Sequence, residues 1–473
     1  MRDDKVVGSS PLVPVHRTAS RRSVLKVGGA LAVAGLSAPV LGAAGRPITR
    51  VAAQGEVSIR VTDAPIEDAA QAEKDFYDDL VSQFEQANPG VTVEAIPGGY
   101  GGPEVFAAKV AGGTLEDGFA VWFTEPQRII RQGIAADITD QVRDRAPFNA
   151  YVPENLAVFS NPDGRIYGLP VSVYALSLVY NRALFEQAGL DPNRPPTTWD
   201  ELRSTAKQIT EETGTPGFAF LSVDNQGGWH FTTMLYTFGV DPLRDEGGRL
   251  VPAFNGEEGV RALQLLKDMR WADNSLTEQQ QLNQGLVAEA LATGQVAMGI
   301  GGVPSSLVET YGANLTDYGL GIVPQGGGNA VLGGGYGWMF NADSTPEQIE
   351  AAIDWVAFRH FDPAIYQADL NQANARGLTV GFPEPALFTG KLQEQREAAR
   401  AAAANVPVEL YQPYVEGMQN ITVRAEPTGL DVQRYYATLD PAVQAVLTDE
   451  NADPQALLDE AARNVQAIID EGA

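Results

Sequence analysis

The sequence predicts an α/β protein of two lobes, each built on a mostly parallel sheet flanked by helices. Three observations lead there. At 473 residues the chain is too long for one small hydrophobic core and fits two comfortably. From residue 57 onward, segments of strand character take turns with segments of helical periodicity, the pattern of βαβ units. No internal repeat, low-complexity block or long linker divides the chain into independent modules.

In chain order, residues 1–54 stand apart. Ser20-Arg21-Arg22-Ser23-Val24-Leu25-Lys26 precedes an apolar run over 27–41 rich in Ala and Gly, followed by small residues. A basic start, a short apolar stretch and small residues describe an export signal. The paired arginines resemble the twin-arginine type, which carries folded proteins across the membrane. Ala43, Ala44 and Ala53 are all possible cleavage points. A retained N-terminal anchor is the alternative, although about fifteen apolar residues is short for a span.

Residues 57–62 alternate as a strand, and 67–87 carry Phe76, Leu80, Val81 and Phe84 at helical spacing. Asn88-Pro89-Gly90 stops that helix, and 91–96 reads as a second strand. A helix over 104–111, a strand over 119–123 and a helix over 125–132 follow, the last ended by Gly133. In open parallel sheets ligands bind beyond the carboxyl ends of the strands. That directs attention to Asp63, Ala64 and Pro65, to 97–100, and to 122–125.

The best-punctuated stretch is 165–209. Residues 171–180 are β-branched and aromatic, as a buried strand requires. Asn181 caps a short helix that Gly189 ends. Pro195 and Pro196 bar helix until Thr198, which forms a capping box with Glu201. The helix so started puts Leu202, Ala206 and Ile209 on one face, and Trp199 is expected in the core. Beyond it come a strand at 218–221, a helix opened by Gly227-Gly228-Trp229-His230-Phe231, and amphipathic helices over 257–269 and 282–291. Glycine-rich segments at 293–302, 321–328 and 333–338 follow, then helices over 347–358, 391–404 and 454–469.

Several of these pieces together resemble the extracellular solute-binding proteins of family 1, the sugar receptors of ABC importers, with maltose-binding protein as a relative. They are Leu169-Pro170 with Tyr180-Asn181, Ala188-Gly189-Leu190, and Pro196-Thr197-Thr198-Trp199-Asp200-Glu201-Leu202. Gly133-Ile134-Ala135-Ala136-Asp137-Ile138-Thr139, Gly294-Gln295-Val296-Ala297-Met298, and Pro324-Gln325-Gly326 with Gly333-Gly334-Gly335 complete the set. The resemblance covers nearly all of the chain after the leader. It implies a periplasmic-binding-protein-like fold, with lobe one at 55–170 plus 296–332 and lobe two at 171–295 plus 333–473. Hinge crossings are expected near 168–173, 291–296 and 328–335. It further implies a small solute bound between the lobes, delivery to a membrane permease, an extracytoplasmic location and a monomer.

Composition narrows the chemistry. There is no cysteine, hence no disulfide, thiol nucleophile, thiolate site or lipid-anchor position. Of 33 basic and 60 acidic residues, eight and two fall in 1–54, which leaves the remainder at −33. Such a surface repels nucleic acid and anionic lipid. After the leader only His230 and His360 remain, too far apart in sequence for a metal-binding spacing, and no G-x-S-x-G elbow or phosphate-loop pattern occurs. No metal, cofactor or catalytic residue is expected. A secreted carbohydrate-active enzyme with paired carboxylates is kept as a low alternative.

A sugar offers apolar faces edged by hydroxyls, so its receptor needs aromatic platforms with carboxylates or amides beside them. Trp122 and Glu125 match family positions that contact sugar, and Asp63 and Tyr100 lie at neighbouring strand ends. Tyr174 falls in the crossing strand, and Trp229 and His230 open a helix. Gly302 and Gly335 leave backbone open to a ligand, and Tyr336 and Trp338 alternate with glycine, one expected to face the cleft and the other the core. Many relatives carry a tryptophan after the Gly294–Met298 pattern, where this chain reads Gly301-Gly302-Val303-Pro304-Ser305. That departure favours a smaller sugar, a polyol or a non-carbohydrate solute.

Overall fold

The structure is a computed structural model and describes residues 56–471. The leader with its paired arginines and cleavage points therefore lies outside the described residues. Twelve strands order the rest. The first sheet holds β1 (Val57–Ala64), β2 (Val91–Pro97), β3 (Gly118–Trp122), β4 (Gly168–Ala175), β11 (Ala330–Phe340) and β12 (Thr422–Arg424). The second holds β5 (Ser177–Asn181), β6 (Phe218–Ala219), β9 (Met298–Gly301) and β10 (Tyr318–Ile322), while β7 (Leu243–Asp245) and β8 (Leu250–Pro252) form a separate hairpin.

Both sheets are mixed, the first with more parallel than antiparallel pairings and the second the reverse. β1 pairs in parallel with β2 and β3, but β11 runs antiparallel to β3 and to β4. In the second sheet β6 and β9 are parallel, whereas β5 runs antiparallel to both β9 and β10. The physical reason is the connectivity. Residues 168–181 make two strands that leave one sheet at Ala175 and enter the other at Ser177, so each sheet receives a strand from a crossing chain and not only from βαβ units.

Strand pairing also corrects the expected lobe boundaries. Met298–Gly301 does not return to the first lobe; it pairs with β5 and β6, and Tyr318–Ile322 joins the same sheet. Residues 333–340 pair with β3 and β4 and thus belong to lobe one. The Gly-Gln-Val-Ala-Met pattern marks a buried strand, but periodicity cannot say which sheet accepts it. Leu291 and Val296, expected at a crossing, are both buried with Val179 and Leu320 inside lobe two. The chain instead passes between lobes at Leu176, along β11, and through 380–411, where Phe382 and Tyr411 pack on lobe two and Leu387 and Phe388 on lobe one.

Each lobe has its own core. In lobe one, the helices Gln71–Ala87 and Pro346–Phe361 lay Phe84 edge-on to Trp355 at 5.2 Å. Burying a ring of this size contributes roughly 2–3 kcal/mol. In lobe two, the helix Gln226–Thr237 is buried on nearly every side, packed between Val432–Thr448 and the sheet strands. The Thr198–Glu201 capping box forms as the sequence predicts, and Trp199 is buried with its indole N–H donated to Thr237 Oγ1 at 2.8 Å.

Candidate functional site

The position of the cleft follows from strand direction. β1, β2, β3 and β4 all point the same way, so Asp63, the 98–102 loop, Trp122–Glu125 and Tyr174 gather at one edge of the first sheet. In the second sheet the carboxyl ends of β6, β9 and β10 lie at the same edge as Ser177, the first residue of β5. Only Leu176 separates the end of β4 from the start of β5. The two edges therefore face one another across the crossing strand.

On the first edge, Tyr100 meets Trp122 edge-to-face at 5.0 Å and is itself backed by Phe106. Trp122 stays half-buried and Tyr100 is covered. Glu125 is buried, and its carboxylate is bound by Arg128 Nη2 at 2.6 Å and by the Thr124 hydroxyl at 3.0 Å. It therefore holds Arg128 as much as it faces outward. Burial pushes the Tyr100 phenol well above its ordinary range, with the neighbouring Glu125 charge adding to the rise. Asp63 closes this edge with a backbone φ of 90°, where the register of β1 against β2 breaks between Val61 and Ala64.

Tyr336 and Trp338 are two apart on one strand and so lie on the same side of the sheet. They differ in depth. Trp338 is fully buried, 5.7 Å from His360, and offers no surface to a ligand. Tyr336 is half-buried near the edge, beside the charges of Asp63 and Arg359, and burial raises its phenol well above the ordinary value. Gly335 is partly exposed, and its carbonyl accepts the Phe123 N–H at 3.0 Å.

On the facing edge, Gly302 is buried with its carbonyl accepting the Ser177 hydroxyl at 2.6 Å. Trp229 is half-buried, and its ring lies 4.9 Å from that of His230. His230 is 1 % exposed, against Phe220 at 5.9 Å, and neither ring nitrogen has a hydrogen-bond partner among the described residues. Burial lowers its pKa to about 3, so the imidazole is neutral. The glycine pair before it has a different use from exposing a helix start. The space at Gly227 and Gly228 is filled by Asp440, Ser222 and Tyr436, so this end is packed.

Tyr174 sits between the edges, cross-strand from Gly334. Next to it is a group that sequence reasoning missed, Glu426. This carboxyl is buried and accepts a hydrogen bond from the Tyr436 hydroxyl. Burial pushes its pKa up to about 8. Nothing in the run Arg424-Ala425-Glu426-Pro427 marks a buried acid, because a turn sequence reads as exposed. His360, which has no metal-binding partner in sequence, lies 3.4 Å from Asp63. Among the described residues no group of His, Asp or Glu could hold a metal ion. A surface depression of about 580 Å³ by Asp241, Arg244 and Glu257 takes in none of the candidate residues.

Two lobes, each with its own sheet, are joined by crossing strands. The chain belongs to the bacterial extracellular solute-binding proteins, whose family pattern it matches over residues 67–358. It is 26 % identical over 236 residues to the sn-glycerol-3-phosphate-binding periplasmic protein UgpB of Brucella abortus, covering 47 % of this chain and 52 % of that one. The chain thus spans about half the length of the curated relatives it matches. The cyclic α-maltosyl-1,6-maltose binding protein of Arthrobacter globiformis superposes with a TM-score of 0.66 at 23 % identity, covering 88 % of this chain and all of that one. UgpB of Mycobacterium tuberculosis, in complex with glycerophosphocholine, gives a TM-score of 0.66 at 18 % identity, with 89 % and 100 % covered. These two likenesses show the fold. A protein of this family is extracellular and binds a solute.

Proposed function

We propose that this chain is the substrate-binding protein of an ABC importer and takes a sugar or polyol in the cleft between its lobes. The observation that carries this reading is the edge made by Tyr100, Trp122 and Asp63. Tyr100 stands against Trp122, and Asp63 lies at the same end of the adjoining strand. One sheet edge thus carries both an aromatic surface and a carboxylate, the combination that an apolar ring face edged with hydroxyls requires. The lobes close on the solute by rotation about the crossing strands, and the closed form docks on a membrane permease. The protein acts as a monomer and leaves the cytoplasm folded, through a twin-arginine-type signal. The names of its relatives, which bind an oligosaccharide, glycerol 3-phosphate or glycerophosphocholine, support the class of solute without choosing within it.

A second reading keeps the fold and exchanges the cargo for a non-carbohydrate. The absence of an aromatic residue in 301–305 favours it, since a stacked sugar unit would lack a platform there. A melting screen against sugars, polyols, polyol phosphates, amino acids and polyamines decides between them. The expected outcome is an upward shift with at least one sugar or polyol, because a ligand that binds only the folded state stabilises it by mass action. A response confined to amino acids or polyamines would overturn the sugar assignment.

A further inference from the structure

Asp63 is unusual among the residues of the cleft edge. A non-glycine residue at φ 90° is strained and persists only where the surroundings impose it. Here the backbone is pinned from both sides: Asp63 N–H donates to the Gly98 carbonyl at 2.9 Å, and Gly98 N–H donates to the Ala64 carbonyl at 3.0 Å. A register break of this kind re-aims a side chain. The side chain keeps 28 % of its surface exposed, yet Oδ2 is buried, so the exposure falls on the rest of the side chain.

Behind that buried oxygen stands His360, in the last turn of the Pro346–Phe361 helix. Its Nε2 is 3.4 Å from Asp63 Oδ2, within ion-pair reach and just short of a well-formed hydrogen bond. The ring is fixed by Trp338, and the His360 carbonyl accepts Arg396 Nη1 at 3.1 Å. The charged groups around it come from three helices. Arg359 is its chain neighbour, Asp369 is ion-paired to Arg359, and Arg396 reaches in from Gly390–Ala403; the phenols of Tyr77 and Tyr336 complete the surroundings. Burial lowers the His360 pKa, with the Asp63 carboxylate partly offsetting it, so the imidazole has one N–H to give at neutral pH.

We infer that His360 is the positioning residue for Asp63: it holds Oδ2 from behind and leaves the other oxygen turned to the cleft as acceptor for a solute hydroxyl. The inference rests on the cleft being the solute site. The helix Pro346–Phe361 thereby sets the direction of a binding group on β1 nearly 300 residues away, and a carboxylate that would otherwise rotate is committed to one orientation before the solute arrives.

The test has two arms, so that its failure and that of the solute reading are told apart. The first needs no solute. Imidazole ¹⁵N spectra of the full chain, which has three histidines, are followed against pH in wild type and in Asp63→Asn. The expected result is a His360 midpoint lowered by roughly half a pH unit or more in the variant, with His230 unmoved. An unchanged His360 signal would overturn the pairing. The second arm measures the affinity of wild type, His360→Leu, His360→Gln, Asp63→Asn and Asp63→Asn/His360→Leu for ribitol, maltose and sn-glycerol 3-phosphate. His360→Leu should weaken binding about tenfold, His360→Gln should restore most of it, and the double variant should be no weaker than Asp63→Asn alone. An equal loss from His360→Leu in both backgrounds refutes action through Asp63. If none of the three probes binds, the sugar reading fails and the first arm decides alone.

Discussion

Asp440 Oδ1 accepts the backbone N–H of Gly228 at 2.8 Å, from a helix more than 200 residues later in the chain. Its other oxygen takes the N–H of Asn225 at 2.9 Å, so one carboxylate closes the start of the helix that carries Trp229 and His230. This is an N-cap supplied by tertiary packing, since Asn225 itself makes no side-chain cap. Replacing Asp440 with Ala leaves two buried donors unmet and should cost about 2–3 kcal/mol. Urea unfolding of Asp440→Ala against wild type measures this, and an unchanged midpoint would count against the cap.

Glu426 makes stability depend on pH in an unusual direction. Its folded pKa, raised by burial to about 8, lies above the 4.5 of a free glutamate, so between those values the folded state binds more protons than the unfolded one. Stability therefore falls as pH rises from 4.5 through 8. Asp440, raised by burial to about 6, adds a smaller loss in the lower part of that window. In Glu426→Gln the melting temperature should decline less between pH 5 and pH 8 than in wild type. A parallel decline in both proteins would show that Glu426 titrates normally.

A methyl group at Gly335 would sit 2.0 Å from the Ser172 carbonyl, where β11 and β4 press together. Backbone cannot yield there without opening the ladder. Gly335→Ala should destabilise the protein by about 2 kcal/mol or more. At Gly301 the same methyl meets nothing within 4 Å, so Gly301→Ala should fold with a melting temperature near that of wild type. Calorimetry of the pair separates a packing requirement from mere backbone freedom.

Two tryptophans should part company in a binding assay. Trp122→Ala removes the aromatic surface at the cleft edge and should weaken the affinity for a responding solute by about tenfold. Trp199→Phe loses the bond to Thr237 and should cost about 1 kcal/mol of stability while the solute response stays intact. A loss of affinity in Trp199→Phe at unchanged stability would reverse these assignments.

Local structure was legible wherever a residue acts on its own neighbours. The Thr198–Glu201 box, the Asn181 cap, the Gly133 and Gly189 stops and the buried face of Leu202, Ala206 and Ile209 depend on short-range chemistry and occur as written in the sequence. Lobe membership was not legible for β9, β10 and β11. All three are buried apolar strands, and which partner accepts each is settled by crossings hundreds of residues away. At the site, the strand-end rule brought out Asp63, Tyr100 and Trp122. Glu426 and His360 stayed hidden because each matters only through a contact with a distant element. The shared orientation of Tyr336 and Trp338 could have been read from the two-residue period alone.

The interleaving of the two lobes bears on how the protein is made. The core of lobe one draws on residues from Ile59 to Phe388, and that of lobe two on residues from Ala175 to Ile469. A nascent chain emerging from the ribosome can complete neither core until most of its length has been synthesised, and the second waits for the helix Pro454–Glu471. Contacts this remote in sequence form slowly. The half-made chain thus leaves apolar strands of both sheets without their partners until most of its length has been made.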